Sequence, residues 1–253
     1  MAQHVQYSVT DGAARLTLDR PDNRNALSAE LVNGLGDGLT RATQDPEVRV
    51  IVLTNTGPAF CAGADLLGTS AEEPRYTLPQ LFELIQRGRV PVIGRIAGHC
   101  TGGGVGLAAA CDISIMAADA VMGFTEVRIG VAPAMIAVVC LPKMRRGDAM
   151  ELFLSGEKVS AKRAAEVGLI NRAVAAEHLD EEVAAVVDRV MQGGPEALAV
   201  CKTLVFDVPA MARTDAFTWT QQVSGERFGS TEAAEGMAAF RQKRPPSWSP
   251  ARP

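Results

Sequence analysis

The sequence lacks the features by which several classes of protein are recognised. None of its apolar runs approaches the roughly 18 residues that a membrane-spanning helix needs. Its 253 residues carry a net charge of −4 without a basic block, which argues against binding to nucleic acid or to an anionic membrane. The start of the chain, Met1 to His4, has neither the charged region nor the apolar region of a secretory signal. We therefore expect a cytoplasmic protein that binds neither nucleic acid nor membrane.

Residues that bind metals or form disulfides are scarce. The three histidines are isolated, so a histidine-based metal site is not expected. The five cysteines are odd in number and form no C-x-x-C pair, which favours a reduced environment without a zinc site. The Walker A, G-x-S-x-G and H-E-x-x-H motifs are also missing. The chemistries that these motifs carry are not indicated.

Two hydrophobic patterns divide the chain. A hairpin is predicted for residues 5–19, because Asp11-Gly12 suits a type I′ turn between two alternating strands. Continuous β-branched and apolar runs at 48–54 and 90–97 predict strands buried on both faces, and helical patterns lie between the strands. The last part of the chain is predicted to contain helices alone, at 179–192, 195–206, 210–226 and 230–242. The sequence therefore predicts an α/β core followed by a helical appendage.

The stretch from Ile96 to Leu107 holds three consecutive glycines, Gly102 to Gly104, at a predicted turn from strand to helix. Such a turn leaves the first N–H groups of the helix accessible, with the positive end of the helix dipole behind them. A site for negative charge is therefore predicted. A dinucleotide site fits poorly, since Leu107 stands where G-x-G-x-x-G needs its third glycine. We interpret Cys100, next to His99, as a small buried residue rather than a nucleophile.

A second turn, Gly63-Ala64-Asp65, follows the strand 48–54 much as the glycine triplet follows the strand 90–97. In a parallel sheet, two such turns open at the same edge. Two converging backbone N–H groups at that edge would form an oxyanion hole. The alternative, that the glycines only permit tight turns, is equally compatible with the pattern.

Glu126 is the third candidate, because it is a single acid at the end of the short apolar segment 121–126, which we expect to be extended. Burial there would raise its pKa and would suit a general acid or base. The alternatives are an ion pair with Arg128 and a solvated loop residue.

These pieces, in this order, resemble the enoyl-CoA hydratase/isomerase family, also called the crotonase family. The resemblance extends over essentially the whole chain. The matching segments are Arg20-Pro21…Asn25-Ala26-Leu27, Phe60-Cys61-Ala62-Gly63-Ala64-Asp65-Leu66, Ile96-Ala97-Gly98…Gly102-Gly103-Gly104…Cys111-Asp112-Ile113, Glu126…Gly130…Pro133, Lys158-Val159-Ser160-Ala161…Gly168-Leu169-Ile170-Asn171 and Glu235-Gly236-Met237-Ala238-Ala239-Phe240-Arg241. It implies an α/β crotonase-like spiral of ββα units over residues 1–193, with the acyl-CoA site. It also implies a helical trimerisation region over residues 194–253, and homotrimers or hexamers.

The resemblance also implies site residues. The thioester carbonyl would lie between the backbone N–H groups of Ala64 and Gly103, with Glu126 as the catalytic carboxyl group. The residues implied to contact coenzyme A are Arg24, Ala26, Ala62, Asp65 and Leu66, together with Phe240 and Lys243 near its nucleotide end. Coenzyme A would be part of the substrate, and no metal, nicotinamide or flavin is implied.

One position departs from the family pattern. Typical hydratases of the family carry two glutamates, and the first of them falls at Gly106 here, whereas the second is Glu126. A hydratase remains the first expectation, because the stretch 125–136 resembles the methylglutaconyl-CoA hydratase branch. A Δ3,Δ2-enoyl-CoA isomerase that uses one glutamate, another enolate reaction and a non-catalytic CoA-binding oligomer are the alternatives. We expect the loop 68–80 and the helix 135–141 to shape an apolar acyl pocket, lined by Met122, Phe124, Met135 and Ile136.

Overall fold

The computed structural model of the chain describes residues 4–66, 68 and 72–249. Its larger sheet contains the six strands β1 (Val5–Thr10), β2 (Ala13–Leu18), β3 (Val50–Asn55), β5 (Val92–Ile96), β7 (Ile113–Ala117) and β10 (Arg172–Val174). They lie in the order β1-β2-β3-β5-β7-β10. The first pair, β1 and β2, is antiparallel, and the pairs that follow it in this sheet are parallel.

A smaller sheet contains four strands of three residues each. They are β4 (Ala59–Cys61), β6 (His99–Thr101), β8 (Val121–Gly123) and β9 (Lys158–Ser160), in the order β4-β6-β8-β9. The first three of these strands pair parallel, and the last pair is antiparallel. Each of β4 and β6 follows a strand of the larger sheet along the chain. The chain therefore passes from the larger sheet to the smaller one immediately before each of the two glycine-bearing turns.

Of the helices in the described part of the chain, six lie between strands along the chain and four follow the last strand. Their bounds are α1 (Ala29–Gln44), α2 (Leu78–Arg87), α3 (Gly103–Ala110), α4 (Ala134–Cys140), α5 (Arg146–Ser155), α6 (Ala161–Glu166), α7 (Leu179–Met191), α8 (Pro195–Asp207), α9 (Arg213–Phe228) and α10 (Thr231–Gln242). No helix in the described part of the chain is long and apolar enough to cross a membrane.

The side chains of β3 explain why the larger sheet is covered on both faces. All six of its residues are buried. Ile51 and Leu53 belong to the main core beneath α1 and α3, whereas Val50 and Val52 point to the other face and pack with residues of α7. Successive strand residues point to opposite faces, so a continuous apolar run is what a strand buried on both sides requires.

The predicted hairpin is confirmed. Asp11 and Gly12 both have positive φ angles (50° and 76°), as a type I′ turn requires. Ser28 caps α1, since its side chain accepts a hydrogen bond from the N–H of Leu31.

Two details of the sequence prediction were wrong. The glycine-bearing turns follow the short strands β4 and β6 of the smaller sheet, not the long strands of the larger one. Residues 121–126 are not one extended piece, because β8 ends at Gly123 and a 3₁₀ turn, Thr125–Ile129, carries Glu126.

Candidate active site

The first glycine-bearing turn follows β4 and is hydrogen-bonded to Leu27, which precedes α1. Gly63 has a φ of +86°, and its carbonyl accepts a hydrogen bond of 2.8 Å from the N–H of Leu27. Ala64 then forms an isolated parallel bridge with Leu27. The hydrogen bond of this bridge is accepted by the carbonyl of Gly63, the residue before Ala64. Within residues 4–66, 68 and 72–249, no backbone carbonyl accepts a hydrogen bond from the N–H of Ala64 itself.

The second turn joins β6 to α3. Gly102 has a φ of +53° and a ψ of −125°, which an L-amino acid with a side chain would adopt only with strain. Its N–H donates to the carbonyl of Gly123 at 3.2 Å, which ties the turn to β8. Gly103 is the first residue of α3, so its N–H has no acceptor inside the helix.

The two turns touch. A β-carbon on Gly63 would lie 2.9 Å from the carbonyl oxygen of Thr101 and 3.2 Å from the backbone nitrogen of Gly103. The Thr101 hydroxyl donates to the carbonyl of Ala62 at 3.0 Å, which fastens the two turns to each other. Because β4 and β6 are parallel neighbours, the turns that follow them open at the same edge. The N–H groups of Ala64 and Gly103 therefore belong to one small region at this edge.

Glu126 reaches the same region from the 3₁₀ turn. A β-carbon on Gly102 would lie 3.3 Å from Oε1 of Glu126. Oε2 of Glu126 is buried and has no hydrogen-bond partner among the described residues. Burial raises the pKa of this carboxyl group, because its charged form loses solvation. Arg128 does not pair with it and instead points to the carbonyl of Ser155.

A cavity of about 430 Å³ opens in front of these groups. Apart from Glu126 and the backbone of the two turns, its walls are mostly aliphatic. They are formed by Leu27, Ala29, Val32, Ala62, Gly63, Ala64, Leu66, Pro74, Tyr76, Leu78, Gly102, Gly103, Thr125, Glu126, Ile129, Val131, Ala132, Pro133, Ala134, Met135 and Ile136. The three residues expected to be catalytic, Ala64, Gly103 and Glu126, thus all border one cavity. In the described part of the chain, no three His, Cys, Asp or Glu side chains are grouped so that they could hold a metal ion.

Of the expected apolar lining, Met135 and Ile136 border the cavity. Met122 and Phe124 do not. Both are buried in the main core, where the Phe124 ring lies 4.3 Å from the ring of Phe153. That part of the sequence prediction was wrong, because β8 and the residue after it direct these two side chains into the core.

The expected coenzyme A loops lie next to the cavity. Ala62 and Leu66 line it, and Leu66 is 71% exposed. The carbonyl of Arg24 accepts a hydrogen bond of 3.1 Å from the N–H of Ala62, so the two loops are joined. Ala26 is buried beside them. The Asp65 carboxylate accepts from side chains of the first loop, at 3.3 Å from Arg20.

Two further residues, not among the expected site residues, belong to this region. Asn25 is fully buried and has a positive φ, and its side-chain NH₂ donates to the carbonyl of Ala59 at 2.8 Å. Its side-chain oxygen accepts from the N–H of Arg20 at 2.7 Å. Tyr76 contributes its ring to the cavity wall. The signal for Asn25 was its tendency to adopt left-handed conformations in polar loops, whereas Tyr76 carried no local signal.

Comparisons with known proteins fit this geometry. The Enoyl-CoA hydratase/isomerase family profile matches residues 8–251. A Thermus thermophilus relative, which bears enoyl-CoA hydratase as a provisional name, is 34% identical over 239 residues, covering 90% of this chain and 94% of its own. The crystal structure of an enoyl-CoA hydratase from Mycobacterium smegmatis superimposes with a TM-score of 0.89 at 32% identity, covering 97% of this chain and 98% of its own. Human enoyl-CoA hydratase domain-containing protein 3 superimposes with a TM-score of 0.90 at 25% identity, covering 97% and 100%.

The chain belongs to the enoyl-CoA hydratase/isomerase family. The expected α/β crotonase-like fold with helices at its C-terminal end is therefore confirmed. The two turns described above are therefore parts of the fold of this family.

The position that departs from the pattern of the hydratase/isomerase family is fully packed. Gly106 lies in α3, and a β-carbon there would be 2.5 Å from Cγ2 of Ile136 and 2.8 Å from Cζ of Phe82. Aliphatic and aromatic carbon thus fill the place where family hydratases would carry their first glutamate. Glu126 is the single carboxylate among the described residues that line the cavity.

Phe240 and Lys243 do not lie at the cavity of this hydratase/isomerase fold. Phe240 is near the end of α10 and is 85% exposed, and Lys243 adopts a left-handed conformation immediately after that helix. Neither residue is among the described residues that line the cavity. Their expected contact with coenzyme A stays a prediction.

Proposed function

We propose that this protein is an enoyl-CoA hydratase-type lyase that acts on an acyl-CoA thioester through an enolate. The observation that carries the proposal is the meeting of the Ala64 and Gly103 turns beside the buried carboxyl group of Glu126. The names of the relatives give it further support, since they are described as enoyl-CoA hydratases.

The two backbone N–H groups would bind the thioester oxygen. In the transition state this oxygen gains negative charge, because electrons move from the double bond through Cα onto the carbonyl. Fixed donors with a helix dipole behind one of them stabilise that charge without having to reorganise. Loss of one such donor typically slows a reaction by about 10²- to 10³-fold.

Glu126 would carry out both proton transfers. Its carboxylate removes a proton from water while the water oxygen forms a bond to Cβ and the Cα=Cβ π bond breaks. The resulting carboxylic acid then gives that proton to Cα as the enolate collapses, which regenerates the carboxylate. One carboxyl group with two oxygens thus completes the addition, and coenzyme A enters as part of the substrate without any further cofactor.

A Δ3,Δ2-enoyl-CoA isomerase is the second candidate, and the packing around Gly106 favours it. Because Ile136 and Phe82 occupy this space, it holds no second carboxylate to orient a water molecule. In this reaction Glu126 would remove a proton from C2 and return it to C4 of the same enolate, and no water would be consumed. A non-catalytic CoA-binding oligomer is the third candidate.

We also propose that the protein assembles as a homotrimer or a hexamer. Large apolar side chains of α8 and α9 are exposed in a single chain, with Val205 69% and Phe228 73% exposed. An assembly that covers these helices would remove this surface from water. We also propose a role in fatty-acid or branched-acyl metabolism, and a cytoplasmic location stays a prediction.

Activity on crotonyl-CoA tests the proposal. We expect purified protein to remove the enoyl absorbance, Glu126→Gln to lose this activity, and the matched control Glu157→Gln, at an exposed glutamate, to keep it. Equal activity in Glu126→Gln and the wild type would contradict the catalytic role of Glu126. With 3-enoyl-CoA as substrate, the appearance of conjugated enoyl absorbance, with chromatographic separation of the isomeric products, distinguishes the isomerase, which forms 2-enoyl-CoA with little added water. Tight CoA binding without turnover or proton exchange at Cα would identify the non-catalytic alternative.

A further inference from the structure

The chain segment that precedes α2 is fastened to α1 by a buried amide. Asn33 is 1% exposed. Its side-chain oxygen accepts the N–H of Arg75 at 2.7 Å, and its NH₂ group donates to the carbonyl of Glu73 at 2.9 Å. The small and polar composition of residues 68–74, with two acids, predicts a mobile surface loop. Leu67 and residues 69–71 lie outside the described residues, whereas the end of that loop is fixed by hydrogen bonds to α1.

One helical turn further along α1, Gly36 receives the ring of Tyr76. A β-carbon on Gly36 would lie 2.5 Å from Cγ and Cδ2 of that ring, so the ring rests directly on the backbone of the helix. The Tyr76 hydroxyl donates to Oδ1 of Asp37 at 3.3 Å. Asp37 also pairs with both terminal nitrogens of Arg75, at 2.8 and 2.7 Å. Positions 33, 36 and 37 are neighbours on one face of a helix, which is why they act on the same segment.

The same ring borders the cavity. Tyr76 lines it together with Pro74 of the same segment and Leu78 at the start of α2. Its ring lies between α1 and the cavity. Because Gly36 has no side chain, the ring can pack closely against α1 and leaves more of the cavity open. The wall can therefore move only if the contact with Gly36 or the ring itself changes.

The charged residues that border the cavity bear on the kind of acyl group that it can accept. None of the described residues that line it is a lysine, an arginine or a histidine. An acyl group with a second carboxylate would lose its hydration there without gaining a cation as partner. Aliphatic walls instead favour an uncharged hydrocarbon chain.

We propose that Tyr76 is a specificity-determining residue, and that its ring, held on Gly36 by Asn33 and Asp37, limits the space in the cavity for an uncharged aliphatic acyl group. This inference rests on the proposed acyl-CoA function. Asn33, Gly36 and Asp37 are positioning residues, since they act through the ring. One methylene in a hydrophobic pocket changes specificity by about 10- to 200-fold, so a small displacement of the ring has a measurable effect.

The test measures binding of saturated butyryl-, octanoyl- and dodecanoyl-CoA by calorimetry, which needs no turnover. Tyr76→Ala is expected to improve the binding of octanoyl-CoA relative to butyryl-CoA by about tenfold. Tyr76→Phe keeps the ring on Gly36 but loses the hydrogen bond to Asp37, so it is expected to change this ratio by much less than Tyr76→Ala. Gly36→Ala pushes the ring into the cavity and is expected to weaken octanoyl-CoA relative to butyryl-CoA. In the double variant Gly36→Ala/Tyr76→Ala this loss should vanish, because the clashing ring is gone.

Each outcome decides a separate question. An unchanged chain-length preference in Tyr76→Ala, or an equal effect of Gly36→Ala with and without the ring, would overturn the inference even if all variants bind acyl-CoA. Thermal unfolding of each variant shows whether it is folded, and the double variant reports on the ring even if Gly36→Ala alone is unstable. Glutaryl-CoA bound as tightly as pentanoyl-CoA would refute the preference for an uncharged chain. If no acyl-CoA binds to the wild type, the proposed function itself fails.

Discussion

Gly106 and Ile136 are in such close contact that a β-carbon on Gly106 would lie 2.5 Å from Cγ2 of the isoleucine. They belong to different helices, α3 and α4, and Phe82 of α2 fills the remaining space. At the position where hydratases of the family carry a glutamate, three helices of this chain therefore pack directly against one another. A single substitution that restores the carboxylate would meet carbon atoms on two sides.

We predict that Gly106→Glu destabilises the fold without improving hydration. Overpacking a core costs about 1 to 3 kcal/mol, and a buried carboxylate without a partner adds to that cost. Denaturant unfolding and crotonyl-CoA turnover measure the two effects. Gly147→Glu is the matched control, because Gly147 lies in α5 and a β-carbon added there would have nothing within 4 Å. Equal stability of both variants would show that the side chains around Gly106 move apart at little cost in free energy.

A second prediction concerns the contact between the two turns. Gly63→Ala should lower kcat sharply, since its β-carbon would be 2.9 Å from the Thr101 carbonyl and 3.2 Å from the Gly103 nitrogen. The turns must then separate, and the two N–H donors lose their common target. Gly12→Ala is the control, because Gly12 has a similar positive φ (+76°) but lies in the hairpin turn between β1 and β2 and does not line the cavity. Similar losses of kcat in both variants would assign the effect to backbone strain alone.

Much of the fold was predictable because its signals are local. The Asp11-Gly12 pair predicts a hairpin turn, and Ser28 marks the start of α1. The buried run at β3 predicts a strand covered on both faces, because its residues must satisfy two cores at once. The meeting of the two glycine turns followed from parallel pairing, although the pairing occurs in the smaller sheet.

The rest depends on contacts between distant residues. Strands of three residues, such as β4 and β6, have too little length for a periodic pattern to appear. Tyr76 becomes part of the cavity wall only because Gly36, forty positions earlier in the chain, lacks a side chain. Phe124 is directed into the core by the turn that follows β8, which the apolar run around it does not reveal.

The C-terminal helix α8 is joined to the core by a buried ion pair, from which a third prediction follows. Nζ of Lys202 lies 2.7 Å from Oδ2 of Asp112 and also donates to the carbonyls of Ile85 and Val90 at 2.8 and 3.1 Å. Lys202→Met should destabilise the fold by about 3 to 5 kcal/mol, because it removes the donor to two carbonyls and leaves the Asp112 carboxylate without its cation, with the N–H of Val92 still donating to it at 2.7 Å. Thermal or denaturant unfolding measures this loss.

Lys162→Met, at an exposed lysine of α6, is the control for that substitution. It should change stability by no more than about 0.5 kcal/mol. A comparably small effect of Lys202→Met would mean that water enters and hydrates Asp112 when the ammonium group is removed.

The fourth prediction is the pH dependence of turnover. Burial raises the pKa of Glu126, and both proposed reactions begin with its carboxylate. The value of kcat/KM should therefore rise as the pH rises through a midpoint above the ordinary glutamate pKa of about 4.3. Circular dichroism over the same range shows whether the fold stays intact. A midpoint at or below the ordinary value, with the fold intact, would mean that bound groups stabilise the carboxylate.

The last prediction sets stability against activity at the same residue. Since the pKa of Glu126 is higher in the folded protein than in the unfolded chain, ionisation favours unfolding, and the penalty grows as the pH rises from the unfolded pKa towards the folded pKa. Glu126→Gln removes that charge and should raise Tm at about pH 8, by roughly 2 to 4 °C for each kcal/mol gained. At about pH 4, where the carboxyl group is mostly protonated in both states, the difference should shrink. The exposed Glu157→Gln should show no such pH-dependent gain. A lower Tm for Glu126→Gln at about pH 8 would mean that the ionised carboxylate stabilises the fold. The burial of Glu126 would then not reduce stability in exchange for activity.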